Sequence, residues 1–194
     1  MADFHLNGNF QQITIDPTAH VELGQDITLR SFVCLEVGNG ATLKLGNRVF
    51  FNNHCSIRCE HHIEIGKDTM FGDGVRIFDH NHQYSNYHVE KIAFNYGKIS
   101  IGKNCWIGAN VVILKGVTIG DNVIIGAGAV IHKDIPSNSI VVSKEELIIK
   151  ERPQLEHHVF TLTASDTLEN LTYLVENLPE LSFHIAAKTN VSDR

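Results

Sequence analysis

Large aliphatic residues recur at every sixth position through the second half of the chain: Ile101, Ile107, Ile113, Ile119, Ile125 and Ile131. Four residues after each of the first five stands a small or β-branched side chain, in turn Cys105, Val111, Val117, Val123 and Ala129. Glycine follows directly at Gly102, Gly108, Gly120 and Gly126. A helix advances 100° per residue, so a step of six does not return to one face. Short strands separated by turns do return. Hexads of this kind read as a parallel β-helix in which each hexad is one side of a prism. The isoleucine and its small partner point inward, and the glycine is expected to serve the turn. IGKNCW, IGANVV, ILKGVT, IGDNVI and IGAGAV are five copies, and IHKDIP closes the run.

The rhythm is fainter upstream. Residues 1–12 are polar and read as an edge or tail; the six-residue pattern begins after Pro17 with Leu23, Leu29 and Leu35, and Ile27 and Val33 stand on the four-later position. It slips through VGNGATLK, resumes at Leu45, Phe51 and Ile57, slips by two around Glu60–Glu64, and resumes at Ile65, Phe71 and Ile77. Each slip predicts a corner that bulges outward. Stacking on the neighbouring coil lets such imperfect copies share one core. Between Ile77 and Ile99 the pattern is lost in FDHNHQYSNYHVEKIAFNYGK, which predicts a long loop over residues 78–98. Long excursions from a tight scaffold tend to carry function. The β-helix domain is assigned to residues 1–152. After Pro153, HHVFTLT and LSFHIAAKT read as strands. Between them Asp166 and Glu169 form a capping box ahead of Leu168, Leu171, Leu174, Val175 and Leu178 on one helical face. Residues 153–194 are therefore read as a β–α–β appendage.

Composition narrows the function. The formal charge of −6 argues against nucleic acid or an anionic membrane as partner. MADFHLNGNF has neither a basic nor an apolar leader segment, and no stretch reaches the ~20 apolar residues of a membrane span, so a cytoplasmic protein is expected. The cysteines Cys34, Cys55, Cys59 and Cys105 lack zinc-finger spacing and any CxxC pair; Cys55 and Cys105 fall on the small inward position and read as reduced core thiols.

The row NCWIGANVVILKGVTIGDNVIIGAGAVIHKDIP and the histidine-bearing loop together resemble the hexapeptide-repeat acyltransferases, above all the O-acetyltransferases of galactosides, maltose and bacterial surface glycans. The resemblance covers roughly Leu45 to Lys150. It implies a left-handed parallel β-helix, a homotrimer with active sites between subunits, acetyl-CoA as donor, no metal, and a sugar or glycan hydroxyl as acceptor. Position by position, the family's catalytic histidine falls on His82 of DHNH. Positions that hold the acceptor fall on Asn52 and Glu60, and His80 lies beside them with Asp79 placed to orient its ring. Trp106 matches the wall of the acetyl and pantetheine channel. Ala109, Ala127 and Lys133 match coenzyme A contacts. The family's Gly-x-Pro-Ala turn is replaced by Ser143-Lys144-Glu145-Glu146-Leu147, where Lys144, Lys150 and Arg152 are the cations able to compensate. The helical segment that galactoside and maltose enzymes carry before the coil is also missing, which leans the acceptor toward a larger glycan or a lipid-linked or nucleotide sugar.

The chemistry asks for the same residue types. A sugar hydroxyl is a weak nucleophile, and a neutral imidazole that takes its proton during attack contributes on the order of 10²–10⁴-fold. Each assignment has a plainer counterpart: a solvated loop histidine for His82, an asparagine stack for Asn52, a corner charge for Glu60, interface packing for Trp106 and a surface lysine for Lys133. Two other functions fit a β-helix. A zinc lyase of the γ-carbonic-anhydrase type would need three histidines, of which His80 and His82 are candidates. A trimeric scaffold would need no catalysis at all.

Overall fold

Burial of the hexad isoleucines organises the fold. The computed structural model describes residues 4–143 apart from Asn86, and every element among them is a strand. The chain divides into Met1–Glu146 and Leu147–Arg194. The β–α–β expected for residues 153–194 lies outside the described residues. No helix among the described residues is long and apolar enough to cross a membrane.

The coil is a parallel β-helix with three faces. The first face stacks seven strands: Phe4–Leu6, Ile27–Leu29, Phe50–Phe51, Met70–Phe71, Trp106–Ile107, Ile124–Ile125 and Ile140–Val141. The second stacks six, from Gln12–Ile15 to Val130–Ile131, and the third five, from His20–Leu23 to Thr118–Ile119. Ile107, Ile113 and Ile125 are sealed to within 1% exposure, and Cys105, Val111, Val117 and Val123 lie beside them. Each fully buried aliphatic side chain contributes about 1.5–3 kcal/mol. Phe51 and Phe71 stack inside the prism with ring centroids 4.6 Å apart.

Three expectations change. Residues 4–6 are the edge strand of the first face rather than a tail, since they pair in parallel with Ile27–Leu29 as the start of the first coil. The slips are not outward bulges either. Leu35 with Val37, Leu43 with Leu45, Ile57 with Cys59 and Ile63 with Ile65 are all buried, so there the strand is two residues longer and keeps its inward alternation. The coil accordingly tapers. Equivalent corner residues lie 22 apart at Gln25 and Asn47, 18 apart at Lys103 and Asp121, and 16 apart at Asp121 and Ser137.

The third change concerns glycine. The left-handed position of most turns is held by the third residue after the isoleucine, at Asn104, Asn110 and Asn122 (φ 56° to 58°) and at Gly116 and Gly128. Asparagine tolerates that conformation because its short side chain bonds locally; Asn104 donates to Asn122 and Asn122 to Asn138, each at 3.0 Å. Gly102 serves stacking instead, because a Cβ there would stand 2.6 Å from the carbonyl carbon and oxygen of Gly120 in the next coil.

The outward rows differ in character. On the third face Glu22, Lys44 and Glu64 stand in register, with ion pairs from Lys44 to Glu22 (2.8 Å) and from Lys98 to Glu64 (3.1 Å). On the first face the register aligns half-buried Phe50 with exposed Met70, Trp106, Ile124 and Ile140, an apolar row that crosses five coils.

Candidate active site

The excursion after Ile77 is a hairpin rather than a loop. His80–Ser85 pairs antiparallel with His88–Tyr96, and His82 stands opposite Phe94. Its insertion leaves the stacking intact: Ile63 pairs with Ile99, thirty-six residues on, whereas Ser100 pairs with Thr118, eighteen on. The N–H of Gly97 donates to the Asp79 carbonyl at 2.8 Å and closes the base of the hairpin.

Asp79 sits at that base with no solvent exposure. Its Oδ1 accepts the Glu60 N–H (2.9 Å), and its Oδ2 accepts the N–H groups of His61 and His62 (both 2.8 Å). The His80 Nδ1 lies 3.1 Å from Oδ1. The corner that carries Glu60 and the hairpin that carries the histidines are thus tied to one carboxylate.

His82 lies at the exposed face of the hairpin. Its Nδ1 is 2.9 Å from the Glu90 carbonyl oxygen. A carbonyl only accepts, so Nδ1 carries the proton and Nε2 presents a lone pair. The rings of His80 and His82 each lie 4.8 Å from the Phe94 ring. Around them opens a cavity of about 560 Å³ lined by Arg58, Glu60, Phe78, His80, Asn81, His82, Lys91 and Phe94. Arg58 is held at 2.7 Å by Glu36.

Three of the residues named from the sequence, Glu60, His80 and His82, therefore meet in one cavity. The others lie elsewhere. Asn52 is on the corner between the first and second faces, where its amide donates to Asp73 at 2.8 Å and its carbonyl accepts the Asn53 N–H at 3.0 Å. Ala109 and Ala127 lie on the same corner two and three coils further on, and the Gly128 N–H donates to the Ala109 carbonyl at 2.8 Å. Trp106 precedes that corner on the first face and is half exposed. On a single chain this group is separated from His82 by the width of the second face, roughly 15 Å at about 3.3 Å per residue. Lys133 lines a smaller cavity of about 170 Å³ with His132, Asp134 and Val141 at the end of the coil. Lys150 lies outside the described residues, as do Lys144 and Arg152.

Phe94, Arg58 and Lys91 were not legible as site residues. Phe94 could have been found only by pairing the hairpin, which sets it opposite His82. Three of the four cysteines are core thiols, and Cys34 is half-buried on the outward side of its strand. Cys55, Cys59 and Cys105 are buried, each S–H donating to a backbone carbonyl at 3.2 Å. Desolvation pushes Cys55 up to about 11 and Cys59 up to about 12, which keeps both protonated and inert. Among the described residues no three histidine, cysteine or carboxylate side chains of one chain converge as a metal site.

Residues 98–133 match the bacterial transferase hexapeptide family (six repeats), and residues 159–194 match the GftB/GlyA-F C-terminal domain. The chain is 32% identical over 122 residues to the galactoside O-acetyltransferase of Escherichia coli, across 62% of this chain and 60% of that one. It is 36% identical over 104 residues to a Schizosaccharomyces pombe protein named provisionally as an acetyltransferase, across 53% and 50%. The chain thus spans about half the length of the curated relatives it matches. Among solved structures, a variant of an N-acyltransferase from Bacillus cereus, in complex with dTDP-4-amino-4,6-dideoxyglucose and coenzyme A, superposes with a TM-score of 0.57 at 16% identity, over 90% of this chain and 91% of that one. That likeness concerns the fold.

Proposed function

We propose, from the hexapeptide-repeat match over residues 98–133 and the histidine-bearing cavity, that this protein moves an acetyl group from acetyl-CoA to a hydroxyl of a sugar or surface-glycan acceptor. The observation that carries the reading is His82. Its Nδ1–H is committed to the Glu90 carbonyl, and its Nε2 lone pair is left to the cavity beside Glu60 and His80. In the proposed reaction the acceptor hydroxyl gives its proton to Nε2 as its oxygen attacks the thioester carbonyl. A C–O bond forms, and the tetrahedral intermediate collapses with cleavage of the C–S bond. The proton then passes from His82 to the departing thiolate. No acyl-enzyme is required, which agrees with the raised, protonated state of Cys55 and Cys59.

Ala109, Ala127 and Trp106 are read as the coenzyme A groove, and Glu60 and His80 as acceptor contacts. Asn52, on the groove's corner, is read as an acceptor contact as well. These two groups of residues lie a face apart on one chain, so a complete site needs the hairpin of one subunit against the corner of the next. A homotrimer with sites between subunits supplies that arrangement, and the exposed apolar row through Met70, Trp106 and Ile124 is the surface it would cover. Lys133 and Lys150 are the candidate phosphate contacts.

The test is acetyl-CoA turnover over a panel of simple sugars, oligosaccharides and nucleotide sugars. His82→Ala should lower transfer on the order of 10²–10⁴-fold with the oligomer intact; full activity in that variant would overturn the assignment. Alkaline lability of the product separates ester from amide. An alkali-stable product would replace the hydroxyl acceptor by an amino sugar.

A further inference from the structure

Asp79 is the only fully buried charged side chain among the described residues, and nothing in the proton transfer just described uses it. Its acceptor capacity is nevertheless filled. A carboxylate has about four lone-pair sites. Three are taken by the N–H groups of Glu60, His61 and His62, and the fourth direction meets His80 Nδ1. With every partner a donor, the carboxyl group has nowhere to place a proton of its own, so Nδ1 of His80 must be the protonated ring nitrogen. His80 is 12% exposed and lines the cavity, and Nε2 is the ring nitrogen left to face a ligand. His82 reaches the same state by a different route, through the Glu90 carbonyl.

The two rings stand two residues apart on one strand and therefore on one side of it, each against Phe94. The cavity is thus lined by two imidazoles whose Nδ1 atoms are both committed, with Nε2 of each left as the acceptor, and by Glu60. A lone hydroxyl donates one hydrogen bond and so answers only one of the two imidazoles. A neighbouring pair of donors answers both.

Resting on the acetyl-transfer reading, we propose that Asp79 is the positioning residue of the site, holding His80 as its Nδ1–H tautomer while pinning the Glu60 corner, and that the resulting pair of Nε2 acceptors selects an acceptor with two adjacent donors, a vicinal diol or amino alcohol. The reacting group sits on His82 and its neighbour on His80.

The tautomers can be read in the full-length protein by long-range ¹H–¹⁵N spectra of ¹⁵N-histidine-labelled samples at a pH where both rings are neutral, with His80→Gln and His82→Gln to assign the signals. Both rings should show a protonated Nδ1 and a bare Nε2. Asp79→Asn should move His80 toward the other tautomer and leave His82 unchanged. A protonated Nε2 on His80 in the unaltered protein overturns the proposal, whether or not Asp79→Asn folds. So does an unchanged His80 tautomer in folded Asp79→Asn, because a purely structural aspartate would give that result. The acceptor class is tested with cis-1,2-cyclohexanediol against cyclohexanol. The diol should shift both Nε2 signals at a concentration at least 10-fold lower than the mono-alcohol needs. Equal responses, or a diol that fails to move both, overturn it. Predicted tautomers in a protein that transfers no acetyl group would overturn the acetyl-transfer reading and leave Asp79's role standing.

Discussion

Gly102 and Gly116 occupy different places in the hexad, and substituting each separates two reasons for a glycine. At Gly102 an added methyl would meet the Gly120 carbonyl at 2.6 Å and Asp121 Oδ1 at 2.5 Å. The carbonyl is backbone and is held in place, since the Gly120 N–H donates to Ile135 (2.8 Å) and the Gly102 N–H to Ile119 (2.8 Å). Overpacking of this kind costs about 1–3 kcal/mol. Loss of one inter-coil hydrogen bond adds about 1 kcal/mol. Gly102→Ala should therefore destabilise by about 2–4 kcal/mol. At Gly116 the geometry is reversed: φ is 79° and nothing lies within 4 Å of a built Cβ. Alanine there incurs only the left-handed conformation, about 1–2 kcal/mol, less about 0.4–1 kcal/mol recovered from a stiffer unfolded chain. Asparagine, which holds the left-handed conformation at positions 104, 110 and 122, should be nearly neutral at 116 and at least as harmful as alanine at 102. Urea unfolding followed by circular dichroism at one fixed protein concentration reads all four variants. If Gly116→Asn loses more stability than Gly102→Asn, the stacking argument fails.

Three further outcomes follow from the same packing. A thiol reagent at pH 8 should leave Cys55, Cys59 and Cys105 unmodified in the native protein and label them only at the rate of unfolding; rapid native labelling of Cys59 would contradict its burial. Desolvation, and then the Lys98 charge, hold His62 below its ordinary 6.5, and Glu64 at 3.7 Å is too far to hydrogen-bond it. Below pH 6.5 the unfolded state therefore binds a proton that the native state refuses, and stability falls as pH drops toward the native value. His62→Gln should flatten that decline; an unchanged slope would remove His62 as its source. Glu64 moves the other way: the hydrogen bond from Lys98 holds it below its ordinary 4.5, so its contribution is present above pH 4.5 and is lost on acidification through the native value. Both groups of that pair are about half exposed, so Lys98→Met should cost under about 1 kcal/mol.

The inward rows were legible because a buried side chain leaves a period, and Ile101 to Ile131 keep it without a break. The early coils hid theirs. Two extra residues on a strand change the spacing and leave the alternation intact, so Val37 and Leu43 looked like a phase error while both were buried. Outward residues leave no comparable signal. Met70, Trp106 and Ile124 form a row only because coils of unequal length bring them into register, and that length is set by stacking. The site was half legible. His82 and Glu60 marked the interruptions of the pattern, but Asp79 drew attention only as a neighbour of His80. Its hold on the amides of residues 60–62 is a contact between coils, which no local spacing encodes. Phe94 was hidden because residues 78–98 carry a hairpin whose register is fixed across the turn.

In the proposed enzyme one site is completed by two copies of the chain, His82 on the hairpin of one and the Ala127 corner on the other. His82→Ala removes the base, and Ala127→Trp, at an exposed position, fills the groove. Each variant alone should be inactive. Unfolded together in equal amounts and refolded, they should form mixed trimers in which about one quarter of the sites pair an intact His82 with an intact Ala127, so acetyl-CoA turnover should return to about one quarter of the unaltered protein's. A mixture as inactive as its components, with mixed oligomers present, would place the whole site within a single chain.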